Sequence, residues 1–147
     1  MTRLTSQTAF SEGPNTAAAI SAVSTHSFRD LRVWRAATDL VVASYAHARR
    51  LPSFERPGLG SQMRRAAVSI TANIAEGNGR SSRREYLHHL SIAMGWLKEL
   101  ESHLLVALRL CCLSAEEARS SLDLCNELSR MLTVLTRKLR ERPAGGE

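Results

Sequence analysis

Aromatic residues are scarce in this chain: phenylalanine, tryptophan and tyrosine make up 5% of 147 residues, while the apolar set as a whole reaches 44%. Such a core is built from Leu, Ala and Val, which suits packed helices better than a β-sandwich. Proline is also sparse. Pro14, Pro52 and Pro57 precede the central stretch and Pro143 follows it, so Gly58 to Arg142 runs uninterrupted and favours helices. Cysteine is rare and odd in number. Cys111, Cys112 and Cys125 lack zinc-type or redox-type spacing and lie among leucines, as reduced packing residues of a cytoplasmic protein would. No apolar run reaches membrane-spanning length; the best, LLVAL from Leu104, meets Arg109 and ends, so no membrane partner is expected.

What remains is one domain's length of helix-forming sequence. Residues 1–26 are rich in Ser, Thr and Ala, have no strong hydrophobic segment of the secretory type, and are read as a disordered extension. The domain is expected over 27–142, with a disordered tail over 143–147. After Ser27, Leu31, Trp34, Ala37, Val41, Tyr45, Ala48 and Leu51 recur at helical steps until Pro52 stops them. Pro57 suits the first turn of a second helix with a seam of Leu59, Met63, Ala66, Ile70, Asn73 and Gly77. Gly77-Asn78-Gly79 reads as a helix stop, with Gly77 ending the helix. Ser82 with Glu85, and Ser114 with Glu117, read as capping boxes opening the third and fourth helices. The third carries Tyr86, Leu90, Ala93, Leu97, Leu100, Leu104, Ala107 and Cys111 in strict heptads. The fourth carries Ala118, Leu122, Cys125, Leu128, Leu132, Leu135 and Leu139. Short connections force antiparallel neighbours, so the fold class is all-α, an up-down-up-down four-helix bundle.

Beside its heptad stripe the third helix has a second apolar line, Ile92, Trp96, Val106 and Leu110, interrupted by Glu99 and His103. A helix apolar on two sides is usually buried on two sides, which points to a homo-oligomer with Trp96 as an anchor.

The basic residues are the most informative feature. Eighteen of the 20 are arginine, and the net charge is +6. Between Arg49 and Arg84 lie eight basic residues (Arg49, Arg50, Arg56, Arg64, Arg65, Arg80, Arg83, Arg84) against Glu55 and Glu76, an excess equal to the whole net charge. A localised excess is the footprint of phosphate or another acidic partner. Arg83 and Arg84 open a helix, where free N–H groups already favour anions. Arg64 and Arg65 diverge by about 100°. Arg64 falls on the back of its helix and is expected to be exposed. Arg65, beside the seam, is equally suited to phosphate or to an ion pair with Glu76 or Glu99.

No catalytic constellation stands out. Glu85-Tyr-Leu-His88 has the Glu-x-x-His spacing of di-metal bundles, but no second pair exists and Glu85 is explained as part of a cap. Neither a Walker loop nor an HExxH helix is present, and Ser69 has no histidine near it in sequence. A non-enzyme with no cofactor and no metal is expected.

Three stretches, FRDLRVW (Phe28–Trp34), GLGSQMRRAAVSITANIAEGNGRSS (Gly58–Ser82) and LSIAMGWLKELE (Leu90–Glu101), closely resemble the bacterial four-helix-bundle family of ribosomal RNA intervening-sequence proteins. That family is similar to the accessory variability protein of diversity-generating retroelements. The resemblance spans roughly Ser27 to Arg140. It implies a bundle assembling as a ring-like homopentamer, a basic surface suited to nucleic acid, and no enzymatic chemistry. For retroelement relatives it implies partnership with a reverse transcriptase and its RNA. The motif positions shared here are Arg64, Arg65, Ser69, Asn73, Glu76, Gly77 and Arg80. Trp96 departs from the pattern, standing where the family usually has a small residue. The leading expectation is therefore an oligomeric bundle that binds RNA, or RNA and DNA, through arginines. The alternative is a scaffold whose basic face meets an acidic protein. Asn73, Glu76, Gly77 and Trp96 are assigned to assembly, with Asn73 a buried amide that fixes helix register.

Overall fold

The computed structural model describes residues 28–143. The expectations for 1–26 and for the tail beyond Pro143 lie outside the described residues. Four helices follow in order: α1 (Arg32–Arg50), α2 (Ser61–Asn78), α3 (Arg83–Arg109) and α4 (Ala115–Glu141). Each packs against its neighbour in sequence, and α4 closes the bundle against α1. The up-down-up-down topology places the starts of α1 and α3 with the ends of α2 and α4. Among the described residues no helix is long and apolar enough to cross a membrane.

The helix boundaries have local causes. Leu51, extended at φ −62° and ψ 151° before Pro52, ends α1. Pro57 belongs to a single π turn, Arg56–Gly60, that leads into α2; there Gly60 N donates to Glu55 O at 2.9 Å. Ser82 Oγ accepts from Glu85 N, and Ser114 Oγ accepts from Glu117 N, so both predicted helix starts are capped by serine. Glu117 turns its carboxylate to Arg50 instead, at 2.8 Å. α3 stops at Arg109, which leaves Cys111 outside it in the positive-φ region (φ 58°). Cys111 is exposed and Cys112 half-buried, so of the three cysteines only Cys125 is a core residue. Burial pushes its thiol up to about 12, so it stays protonated and inert.

The core stripes of α3 and α4 follow the predicted heptads through Leu90, Ala93, Leu97, Leu100, Leu104 and Ala107, and through Ala118, Cys125, Leu128, Leu132 and Leu139. α1 is turned away from its predicted seam. Its buried line is Val33, Ala37, Leu40, Ser44, His47 and Ala48, while Trp34 and Val41 flank it and Tyr45 is exposed. His47 can occupy this line because its Nε2 and Ser121 Oγ of α4 meet at 2.7 Å, each satisfying the other in the interior.

In α2 the central line runs through Met63, Ala66, Ala67, Ile70, Ile74 and Gly77. Asn73 is displaced to a half-buried flank, correcting its placement on the seam. Gly77 does not end the helix either: α2 runs to Asn78, and Gly79 caps it at φ −78°. Gly77 is needed for close approach. A Cβ there would lie 2.7 Å from His89 Cβ and 2.9 Å from Tyr86 Cδ2 of α3.

Candidate nucleic-acid interface

The arginines that cluster in sequence are divided by the fold. Arg49, Arg50, Arg56 and Arg64 lie at one end of the bundle and Arg80, Arg83 and Arg84 at the other. α2 separates them by ~27 Å, from 18 residues at about 1.5 Å each. The single patch expected from chain order is therefore two.

At the first end most of the cations are engaged. Arg50 pairs with Glu117, and Arg56 Nε donates to Leu51 O at 3.2 Å. Arg64 is half-buried rather than exposed. Its guanidinium lies 6.0 Å from the Tyr45 ring centre and donates to Arg56 O at 3.4 Å. Arg49 is exposed. Arg65 is exposed on the flank of α2 and lies 5.4 Å over the Trp96 ring, a cation–π contact that ties α2 to α3. It pairs with neither Glu76 nor Glu99; those carboxylates take Arg80 and lie 3.5 Å from His103 Nε2, respectively.

The second end gathers basic residues from all four helices. Arg80 follows α2, and Arg83 and Arg84 open α3. Arg29, Arg32 and Arg35 stand at the start of α1, and Arg137, Lys138, Arg140 and Arg142 at the close of α4. By chain position Asp30, Glu76, Glu85 and Glu141 are the carboxylates in the same turns, so the end is strongly positive. Arg83 Nη1 donates to the Arg142 carbonyl, joining the start of α3 to the end of α4. Arg80 Nη2 contacts Glu76 Oε1 at 2.5 Å, a bond that holds the Glu76 carboxyl below its ordinary range. Chain-local counting missed the α1 and α4 contributions, because only antiparallel topology brings them to this corner.

Behind that corner, polar groups line the α2–α3 contact. Asn73 Nδ2 donates to Ser69 O at 2.8 Å, leaving Oδ1 to accept from His89 Nδ1 at 3.2 Å. His89 Nε2 lies 3.8 Å from Glu76 Oε1. Asn73 and Glu76 thus face His89 between the two helices, and Glu76 also holds the exposed Arg80, while His88 stays exposed. Glu85, the other half of the Glu-x-x-His spacing, sits in the cap of α3. Among the described residues no group of three or more His, Cys, Asp or Glu side chains is arranged to hold a metal.

Residues 29–134 match the model of the family described as 23S rRNA-intervening sequence protein, well over half of the chain. The chain belongs to this family. All eight candidate arginines fall inside the part matched to the intervening-sequence family, whereas Arg137, Lys138, Arg140 and Arg142 lie past its end. The fold is similar to that of a crystal structure from Bacteroides thetaiotaomicron, a protein of unknown function from the S23 ribosomal protein family. The TM-score is 0.66 at 23% identity, over 71% of this chain and 98% of that one. No curated protein matches this intervening-sequence family member.

Proposed function

We propose that this chain is a non-enzymatic, oligomeric RNA-binding bundle that holds the phosphate backbone with arginines and does not read bases. The observation that carries this reading is the convergence of Arg80, Arg83 and Arg84 with the basic start of α1 and the basic end of α4. The family's association with 23S rRNA intervening sequences supports RNA as the polyanion. Guanidinium forks bind phosphate oxygens in pairs, and the first turn of α3 adds free backbone N–H groups. Base stacking has little to work with at this end. Trp34 and Trp96 are half-buried against the core, and Tyr86 is half-buried near Asn78. The exposed rings of Tyr45 and Phe54 lie at the opposite end of the bundle. Affinity is therefore electrostatic and steeply dependent on salt.

Gel shifts with a structured RNA across a salt series test it. The wild-type protein is expected to bind at low salt with a negative slope of log affinity on log salt. Replacing Arg80, Arg83 and Arg84 together by Ala should weaken binding and reduce that slope by ~2–3, roughly one for each phosphate no longer neutralised. Absence of binding at low salt, or an unchanged slope in the triple variant, defeats the reading. Mass spectrometry of proteins retained after nuclease treatment tests the reverse transcriptase as a second partner.

A further inference from the structure

Across the bundle from the α2–α3 corner, the start of α1 and the last turns of α4 leave a groove of about 470 Å³ between them. Its floor is aliphatic: Leu31, Val33, Met131, Val134 and Leu135. Val134 is 37% exposed, an apolar side chain left open to water at the centre of the groove. Three cations, Arg32, Arg130 and Lys138, stand around this floor, and no carboxylate among the described residues lines it. None of the three makes an ion pair or hydrogen bond with another described residue. Elsewhere on the molecule exposed cations do find carboxylates, as Arg50 finds Glu117 and Arg80 finds Glu76.

We infer that this groove is a docking site for an acidic amphipathic helix of a partner protein. The floor carries no aromatic ring on which a base could stack, so an apolar side chain suits it better than a nucleotide. The span from Arg130 to Lys138 covers about two helical turns, ~12 Å, which admits apolar side chains at i, i+3 or i+4, and i+7 of a docked helix. A helix laid between α1 and α4 packs as any third helix on a pair, with its axis ~8–10 Å from each. Carboxylates flanking its apolar stripe then meet Arg32, Arg130 and Lys138, three charges that no described residue neutralises. This surface lies on the α1–α4 side of the bundle, away from Arg80, Arg83 and Arg84. Arg32 and Lys138 are shared with the positive end invoked for RNA, whereas Arg130 and the aliphatic floor belong to the groove alone.

The test uses the full chain and a fluorescein-labelled synthetic helix of about 14 residues, roughly four turns, with leucines along one face and glutamates beside them. Anisotropy at about 0.1 M salt, where screening reaches ~10 Å, should show saturable binding of one peptide per chain. Arg130→Glu with Lys138→Glu should weaken it about tenfold or more, and so should Val134→Asp, which alters only the floor. Helicity by circular dichroism should be unchanged in both, since all three positions are exposed. Arg80, Arg83 and Arg84 replaced by Ala should leave peptide binding intact. The inference fails if the peptide does not saturate, if a control with alanines in place of leucines binds equally well, or if Val134→Asp binds normally. It also fails if structured RNA loses its own binding in the Val134→Asp variant, since the groove floor would then be an RNA contact. Dissociation of subunits on adding peptide would assign the groove to a second copy of the chain, and would likewise overturn it.

Discussion

His47 is the residue whose environment differs most from what its chemistry prefers. It is 8% exposed, bonded to Ser121, and held neutral: burial lowers its pKa below the ordinary 6.5, Glu117 opposes the shift and Arg50 adds to it. Proton linkage then fixes the sign of the pH effect. Above pH 6.5 the imidazole is neutral in both the folded and the unfolded chain, and the full stability is present. As pH falls through 6.5 toward the lower folded value, the unfolded chain takes up the proton first and stability is lost. Urea midpoints measured between about pH 7.5 and 5 should therefore fall with pH, more steeply in the wild type than in His47→Gln. An identical pH slope in the two proteins would remove His47 from the account. The same residue shows why α1 is turned away from the seam its periodicity suggests. A period analysis assigns histidine to the outside, and nothing along α1 announces that Ser121, 74 residues away, supplies the partner that lets it in.

At the scale of helices, the α2–α3 pair is set by glycine. Two helical glycines make the point by contrast. A methyl at Gly77 collides with His89 Cβ and Tyr86 Cδ2, and His89 Cβ is fixed to its backbone and cannot swing aside. A methyl at Gly95, in the middle of α3, has nothing within 4 Å. Helix propensity favours alanine at both sites by ~1 kcal/mol. Overpacking costs ~1–3 kcal/mol at Gly77 alone. Gly77→Ala should lower the unfolding free energy and Gly95→Ala should raise it by up to about 1 kcal/mol; equal shifts of the same sign would refute the close-approach argument. Much of the element pattern was legible in sequence for good physical reasons. Leucine heptads gave α3 and α4 their buried faces, and Ser82 and Ser114 marked where they start, because a serine cap is a local interaction. What escaped was non-local. Asn73 sits on a flank because Ile74 takes the central line, and its amide serves Ser69 and His89 instead of a buried seam. Gly77 looked like a terminator because its true constraint, the surface of α3, is not visible along α2.

The whole molecule reorganises what chain order suggested about charge and leaves, besides the α1–α4 groove, a second apolar surface uncovered among the described residues. Seven of the eight arginines close together in sequence become two groups at opposite ends, with Arg65 on the flank of α2. Arginines from the first and last helices join one of the groups, as antiparallel topology requires. That surface is on the face of α3 turned away from the core. Ile92 and Trp96 are half-buried on it, Val106 is 43% exposed, Leu110 56%, and Leu105 beside them 45%. On the same line, His103 Nε2 is buried, has no hydrogen bond among the described residues and lies 3.5 Å from Glu99 Oε1. An apolar stripe of this kind, broken only by Glu99 and His103, is the mark of an interface, and the oligomer proposed above would seat a second copy of the chain on it. Val106→Glu with Leu110→Glu places two charges on that stripe and touches no core residue, so the helical content should match the wild type. Mass measurement under native conditions should show a multimer for the wild type and a single chain for the variant, because each buried, unpaired carboxylate costs several kcal/mol at an interface. A variant that keeps the wild-type subunit count would show that the chains meet through another face.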